Sequence, residues 1–497
     1  MRQIPATGFD EFQPDSGRLS PDEVRYLAFK GGGGKAWAFL GVLTAFAHNE
    51  LDPPLMARDG GSYSLNFDRI KGVAGTSGGG LVGTLAAMGM TLTDLYGIVY
   101  RHREQLQKFF DPAYADATDP GRSYFPLATS GPPSTVERPR ARGDGTIVDG
   151  TEQVQGGAYY ELSGDEDLPV PGYLVGIAEK ILYWFLHDSI SDLAPTFGER
   201  PGTHLRNALR DGGLVSGVWA RHYAEALLTQ AVSSRQVKFD DLAERDELPK
   251  LCLVGSDITR RQHRMVQFSE DTTPNFKVSD AMRITMSFPG LFKPVVVSQQ
   301  PYLWEDADSF TPYGGLGELS PRKVPSGRNH NLTGIYVDGG VSNQLPAHAF
   351  DGDEISLNAT HKRTDSLDDG VLALDLQDDI PPDSISHGWE VLASDILTGL
   401  TEIAATNREF RTEDEQGHRL RVPFKPLSLT NFAPSNRQLG MGTLAAAEAT
   451  LAYFGVREND VAGFMAKKTP LPRDVWDEAR RARRYGHSEE QQEAPAQ

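Results

Sequence analysis

Between residues 70 and 88 an apolar run, Ile70-Lys71-Gly72-Val73-Ala74, passes through Gly75-Thr76-Ser77-Gly78-Gly79 into a small-residue stretch of helical pattern, Leu81-Val82-Gly83-Thr84-Leu85-Ala86-Ala87-Met88. A strand that turns sharply into a helix across glycines is a βα unit, and such units pack as a largely parallel sheet covered by helices. A second unit precedes it, with Tyr26-Leu27-Ala28-Phe29 as a short strand, Gly31-Gly32-Gly33-Gly34 as a turn and 36–46 as a buried helix. In the G-x-S-x-G pattern, glycines give the turn steric room and φ freedom, and the serine hydroxyl is held out at its apex. Ser77 is therefore a candidate nucleophile.

At 497 residues the chain has room for one large α/β domain with insertions, or for two to three domains of ~150 residues. Its formal charge of −19 argues against nucleic acid and against broad adhesion to anionic lipid, so any membrane contact must be local. Two basic clusters could supply it, Arg260-Arg261-Gln262-His263-Arg264 and Arg480-Arg481-Ala482-Arg483-Arg484, although such clusters are commonly solvated faces. The first residues lack the apolar segment of a secretory signal, which makes a cytoplasmic location the default expectation. No apolar run approaches the ~18 to 20 residues of a membrane span. The single cysteine, Cys252, lies in Leu251-Cys252-Leu253-Val254 and reads as a buried strand residue; neither a disulfide nor a cysteine-based zinc site can be built within one chain.

Composition divides the chain further. Residues 1–20 read as a polar arm, 21–100 as the first half of a core, 101–248 as an inserted, lid-like region, 249–380 as the second half of the core, 381–487 as a helical C-terminal region and 488–497 as a disordered tail. Within the insertion, 111–172 is rich in Pro, Gly and charge, and 173–186 has the pattern of an apolar, aromatic helix that could cover an acyl groove or touch a membrane. Strands are expected at 251–257, 333–337 and 371–376, and helices at 278–287, 391–403 and 443–454.

Acyl transfer needs a nucleophile, a base and donors for the developing oxyanion. The turn of Gly31, Gly32, Gly33 and Gly34 leaves a strand and enters a helix, so its side-chain-free amides and the helix N-terminus make it a candidate oxyanion hole. A P-loop is excluded, because Phe29 and Ala36 stand where its first glycine and its Ser or Thr belong. A dinucleotide fingerprint fits better through Gly31, Gly33 and Ala36, with Glu50 or Asp52 as the ribose-binding acid, but it leaves Ser77 and Asp338 unexplained. For the base two solutions are open. His348 or His361 could complete a histidine triad; alternatively Asp338, at a strand end before Gly339 and Gly340, could take the serine proton directly if desolvation raised its pKa above ~3.9.

Three separated motifs then agree in content and order with one family. The chain resembles the patatin-like phospholipases in Gly31-Gly32-Gly33-Gly34-Lys35, in Gly75-Thr76-Ser77-Gly78-Gly79, and in Asp338-Gly339-Gly340 followed by Leu345-Pro346. The stretch Ala281-Met282-Arg283-Ile284-Thr285-Met286-Ser287-Phe288-Pro289 is similar to the family's helix-to-proline segment. Ala36 departs from the glycine usual after the basic residue, and 51–68 reads as extra loop. The resemblance implies a patatin-like three-layer α/β fold with a mostly parallel central sheet, a large insertion and a helical C-terminal extension. It also implies a Ser77–Asp338 dyad, an oxyanion hole at Gly31 to Gly34, and no metal or organic cofactor. The expected activity is lipid acyl hydrolysis of the phospholipase A type, on a membrane or micellar lipid contacted peripherally. The alternatives are a dinucleotide-binding enzyme, and a patatin-like regulatory protein that stays inactive until an activating protein partner or a membrane opens the site.

Overall fold

In the computed structural model the residues described are 17–110, 134–141, 147–154, 213–215, 217–234, 237–258, 264–297, 332, 334–351, 367, 370–377 and 413–485. They are organised by one eight-stranded sheet. Its strands are β1 (Tyr26–Phe29), β2 (Gly72–Gly75), β3 (Lys250–Asp257), β4 (Arg264–Phe268), β5 (Val295–Val297), β6 (Gly334–Asp338), β7 (Val371–Gln377) and β8 (Arg419–Pro423). The order is β5-β6-β3-β2-β1-β7-β8, with β4 paired to β3. The run from β3 through β2, β1 and β7 to β8 is parallel, whereas β4, β5 and β6 are joined by antiparallel pairings. Strands as short and uniformly apolar as Tyr-Leu-Ala-Phe and Gly-Val-Ala-Gly suit the centre of a parallel sheet, where both faces are covered.

The two faces differ. Leu27, Phe29, Val73 and Leu374 point into the main core, beneath α1 (Phe39–Ala45), α2 (Ser77–Ala87), α3 (Leu92–Arg101), α4 (Val218–Val232), α5 (Val278–Thr285) and α6 (Asn436–Tyr453). Ala28, Ala74, Cys252 and Ala373 point the other way into a smaller cluster, covered among the described residues by Leu345 and the 3₁₀ turn Ala347–Phe350. Phe350 stacks on Tyr26 there at 4.6 Å. Cys252 is buried as expected, and burial pushes its thiol pKa up.

Register places the candidate site residues. Phe29 is level with Gly75, and Gly75 with Leu253, so the turns after β1 and β2 leave the sheet at the same height. Asp338, the last residue of β6, pairs with Gly255, two residues beyond that rung, and Ser77 likewise stands two residues beyond Gly75. The strand carrying Asp338 runs antiparallel to β3, so its carboxyl end descends towards the same level from the opposite direction. Nothing in the sequence of 333–337 signals that direction.

The described part of the C-terminal region, 413–485, is mainly helical, with α6 followed by α7 (Val461–Lys468) and α8 (Arg473–Tyr485), but it also supplies β8, whose alternation of Leu420 and Val422 is too brief to register as a strand pattern. Within the weakly patterned 111–172 stretch, Ser134–Ala141 and Ile147–Val154 form an antiparallel hairpin around the glycine-rich 142–146 connection. The expected helices at 173–186 and 391–403, the arm to residue 16, most of the Arg260–Arg264 cluster and the tail lie outside the described residues.

Candidate active site

The turn between β2 and α2 builds an elbow. Thr76 is extended, at φ −126° and ψ 141°, and Ser77 then adopts φ +52°. Only Ser77 and Ser233 among the described non-glycine residues have positive φ, a conformation that costs an L-residue roughly 1–2 kcal/mol. Such a residue persists where its surroundings over-determine it, and these do. The Thr76 N–H donates to the Phe29 carbonyl at 3.2 Å, its hydroxyl to the Asn343 carbonyl at 3.1 Å, and the Ser77 N–H to Thr285 Oγ1 at 2.8 Å. The first turn of α2 also lies directly on the chain leaving β1. A Cβ at Gly79 would stand 2.2 Å from the Lys30 carbonyl oxygen and 2.8 Å from that of Phe29, backbone atoms that cannot swing away. Gly79→Ala is therefore expected to destabilise the fold by about 1–3 kcal/mol and to slow any chemistry at Ser77, read as a lower Tm together with slower labelling by a fluorophosphonate.

The glycine turn lies alongside this elbow, since a Cβ at Gly31 would be 3.2 Å from the Ser77 Cβ. Its four amides are not equivalent. Gly31 N–H donates to the Gln344 carbonyl and Gly34 N–H to the Leu429 carbonyl, each at 2.8 Å. Gly32 and Gly33 N–H make no hydrogen bond among the described residues. Gly33 is left-handed at φ +53°, and the 3₁₀ helix Gly33–Ala38 follows it into α1. Lys35 sits at the start of that helix with Nζ 4.4 Å from the centre of the Phe424 ring. The outer side of the turn is filled by the chain itself: Cβ atoms at Gly33 and Gly34 would meet the Leu429 and Asn431 carbonyl oxygens at 2.1 and 2.2 Å. Backbone thus stands where a pyrophosphate would approach Gly33 and Gly34 from that outer side, which weighs against the dinucleotide reading, and Glu50 and Asp52 are exposed.

Asp338 is almost fully buried. Its Oδ1 accepts the Gly340 N–H at 2.7 Å, while Oδ2 is buried with no hydrogen-bond partner among the described residues. Desolvation raises its pKa to about 7, opposed first by the Gly340 amide and then by the Ser77 hydroxyl, which approaches the carboxylate from the elbow. The structure thus brings Ser77, Asp338 and the glycine turn together. His348 Nδ1 lies 2.5 Å from Asp351 Oδ2, and His361 lies outside the described residues.

Sequence reasoning did not single out the residues that connect these parts. Thr285 closes α5 against the elbow, Ser287 accepts the Asp338 N–H through its carbonyl at 2.9 Å, and the 343–344 backbone binds both Thr76 and Gly31. The similarity of 281–289 to a family segment pointed to the right stretch, but a hydroxyl that caps a distant amide leaves no periodic trace. Among the described residues no group of three or more His, Cys, Asp or Glu is placed to share a metal ion.

Solved structures similar in fold include VipD from Legionella pneumophila, at 13% identity and TM-score 0.37, covering 94% of this chain and 76% of that one. ExoU of Pseudomonas aeruginosa in its complex with SpcU follows at 15% identity and TM-score 0.31, where the match covers 96% of this chain and 63% of that one. No curated protein matches by sequence. The sequence model of the family described as patatin-like phospholipase, however, matches residues 27–153 and 168–351, a span that includes the glycine turn, the Ser77 elbow and the Asp338 turn. With more than half of its length matched and these three motifs gathered at one end of a mostly parallel sheet, the chain belongs to the patatin-like phospholipase family.

Proposed function

We propose that the protein is a lipid acyl hydrolase that cleaves carboxylic esters of phospholipids or similar acyl lipids through an acyl-enzyme on Ser77. The observation that carries this reading is a serine in a left-handed turn at a helix N-terminus, approached by a buried carboxylate with a pKa near neutrality. A carboxylate with an ordinary pKa would be a weak base for a serine hydroxyl; desolvation narrows the mismatch. Asp338 takes the Ser77 proton as Oγ bonds to the ester carbonyl carbon, and the resulting oxyanion is received by the amides of Gly32 and Gly33. Collapse expels the alcohol, which takes the proton from Asp338. Water then gives its proton to Asp338 as its oxygen attacks the acyl carbon, and Ser77 leaves with that proton, releasing the fatty acid. The α2 dipole favours negative charge at Ser77 throughout. No helix among the described residues is long and apolar enough to cross a membrane, and substrate is taken peripherally from a bilayer or micelle surface in this reading.

The test is incubation of the full chain with a mixed lipid extract, with products followed by mass spectrometry beside Ser77→Ala. Release of free fatty acid by the native chain alone supports the reading, and unchanged lipids from a chain that a fluorophosphonate does label at Ser77 would restrict it to other acyl esters. A chain that the probe fails to label would point to an occluded site. The pH dependence follows from Asp338, which is a base only when ionised. kcat/KM should rise tenfold per pH unit below about 7 and level off above it, because the free enzyme's base titrates there. A stopped assay with a nitrophenyl ester between pH 5 and 9 measures this, and a flat profile through neutrality would remove Asp338 from the role.

A further inference from the structure

The two halves of the proposed dyad come from strands that run in opposite directions, and one short segment touches the backbone of both. Thr285, the last residue of α5, is fully buried and accepts the Ser77 N–H at 2.8 Å through its side-chain oxygen. Two residues later the Ser287 carbonyl accepts the Asp338 N–H at 2.9 Å. The segment is itself held: Ser287 Oγ donates to the Arg283 carbonyl at 2.8 Å, the Arg283 guanidinium bonds Ser287 Oγ, and its second nitrogen donates to the Lys293 carbonyl at 2.7 Å.

The Thr285 contact is unusual in kind. The first amides of a helix have no partner within it, and a cap normally comes from the residue just before the helix. Thr76 occupies that place in α2 and makes no side-chain cap; its hydroxyl is turned to Asn343 instead. The amide of residue 77 is capped from another helix. Fixing that amide fixes the 76–77 peptide plane on one side of the Ser77 Cα, and α2, which begins at Ser77, fixes the chain on the other, so that together they set φ and the direction of the Ser77 Cα–Cβ bond. The Thr285 methyl meanwhile lies beside Gly80 in the first turn of α2, 3.1 Å from where a Cβ on that residue would be.

We propose that Thr285 is the positioning residue of the site, holding the Ser77 peptide in its left-handed setting, while the 285–287 segment acts as a spacer that sets Ser77 against Asp338. The proposal rests on the reading of Ser77 as the nucleophile. Without the Thr285 oxygen the Ser77 amide turns towards whatever acceptor it can find, and the hydroxyl leaves the line to Asp338. A misplacement of about 1 Å is worth up to ~100-fold in rate, with little effect on substrate binding.

The test uses the full chain and three variants, Thr285→Val, Thr285→Ala and Thr285→Ser, with fluorophosphonate labelling rate, kcat and KM for a nitrophenyl ester, and Tm as readouts. Valine keeps the shape and loses the acceptor; alanine loses both branches; serine keeps the acceptor and loses the methyl. Labelling rate and kcat are expected to fall about 10- to 100-fold for valine and alanine with KM held within about twofold, and serine should recover to within about threefold of the native chain. If valine fails to fold, the alanine and serine pair decides. Native rates in folded valine or alanine variants would overturn the proposal, as would serine as slow as alanine, since the loss would then be one of packing. Ser77→Ala, run alongside, separates the two claims: probe labelling or hydrolysis that survives it removes Ser77 as nucleophile, whatever the Thr285 variants do.

Discussion

Ser77→Ala should bring ester hydrolysis to background, and Asp338→Asn should lower kcat by about 10²–10⁴-fold, the range supplied by a positioned general base. The double variant should be no slower than Ser77→Ala alone, because in the proposed mechanism the two groups act in one proton transfer and their losses do not add. Stability should move the other way. Asp338 has its pKa raised from 3.8 to about 7, so the folded state holds a proton that the unfolded state has already released. Its favourable contribution is complete below pH ~3.8, declines as pH rises, and is lost once pH passes about 7, where the carboxylate is buried with its charge. Asparagine carries no such charge. Asp338→Asn should therefore melt at a higher temperature than the native chain at pH 8, while at pH 4 the two should converge. A Tm series for both proteins across that range checks the sign, and an equal or lower Tm for the variant at pH 8 would mean that the buried charge is compensated by its surroundings.

A chain ending at residue 378, which keeps everything the family model matches, should fail to give a folded, labelled protein. The match stops at residue 351, yet the glycine turn leans on what lies beyond it. Leu429 supplies the acceptor for Gly34 N–H, the Phe432 carbonyl accepts Trp37 Nε1 at 3.0 Å, and a Cβ at Gly41 in α1 would stand 2.0 Å from the Thr443 carbonyl in α6. Deeper in the sheet, Asp375 on β7 is fully buried between Lys30 Nζ at 2.8 Å and Arg419 Nε at 2.5 Å. Truncation removes Arg419 and uncovers this cluster; breaking one partner out of a buried ion pair typically costs about 3–5 kcal/mol. Expression, circular-dichroism melting and fluorophosphonate labelling of the truncated chain would measure this. A soluble fragment that labels at the native rate would show that the C-terminal region is dispensable for the site.

The βα units were legible because their chemistry is local. Tyr26–Phe29 and Gly72–Gly75 are apolar runs bounded by glycine, and the elbow needs glycine at places where backbone touches backbone. Asp338 was legible as a strand end for the same reason. What the sequence withheld depends on long-range pairing: the antiparallel direction of β6, the edge strand β8, and the capture of Gly31 and Gly34 amides by carbonyls more than 300 residues away in the chain. Four adjacent glycines look interchangeable on paper. Their division into two engaged and two unengaged amides is set by Gln344 and Leu429, which carry no motif and contribute only backbone.

The left-handed backbone at residue 77 has a consequence for how such a protein changes over time. Glycine adopts that conformation without the steric cost a serine bears, so Ser77→Gly should relieve strain that the native chain carries at this position. On the proposed reading of Ser77 as the nucleophile, selection for thermal robustness alone, in a laboratory library or in a lineage freed from its substrate, would thus drift towards a silent protein, and activity must be selected alongside stability to keep the serine in place.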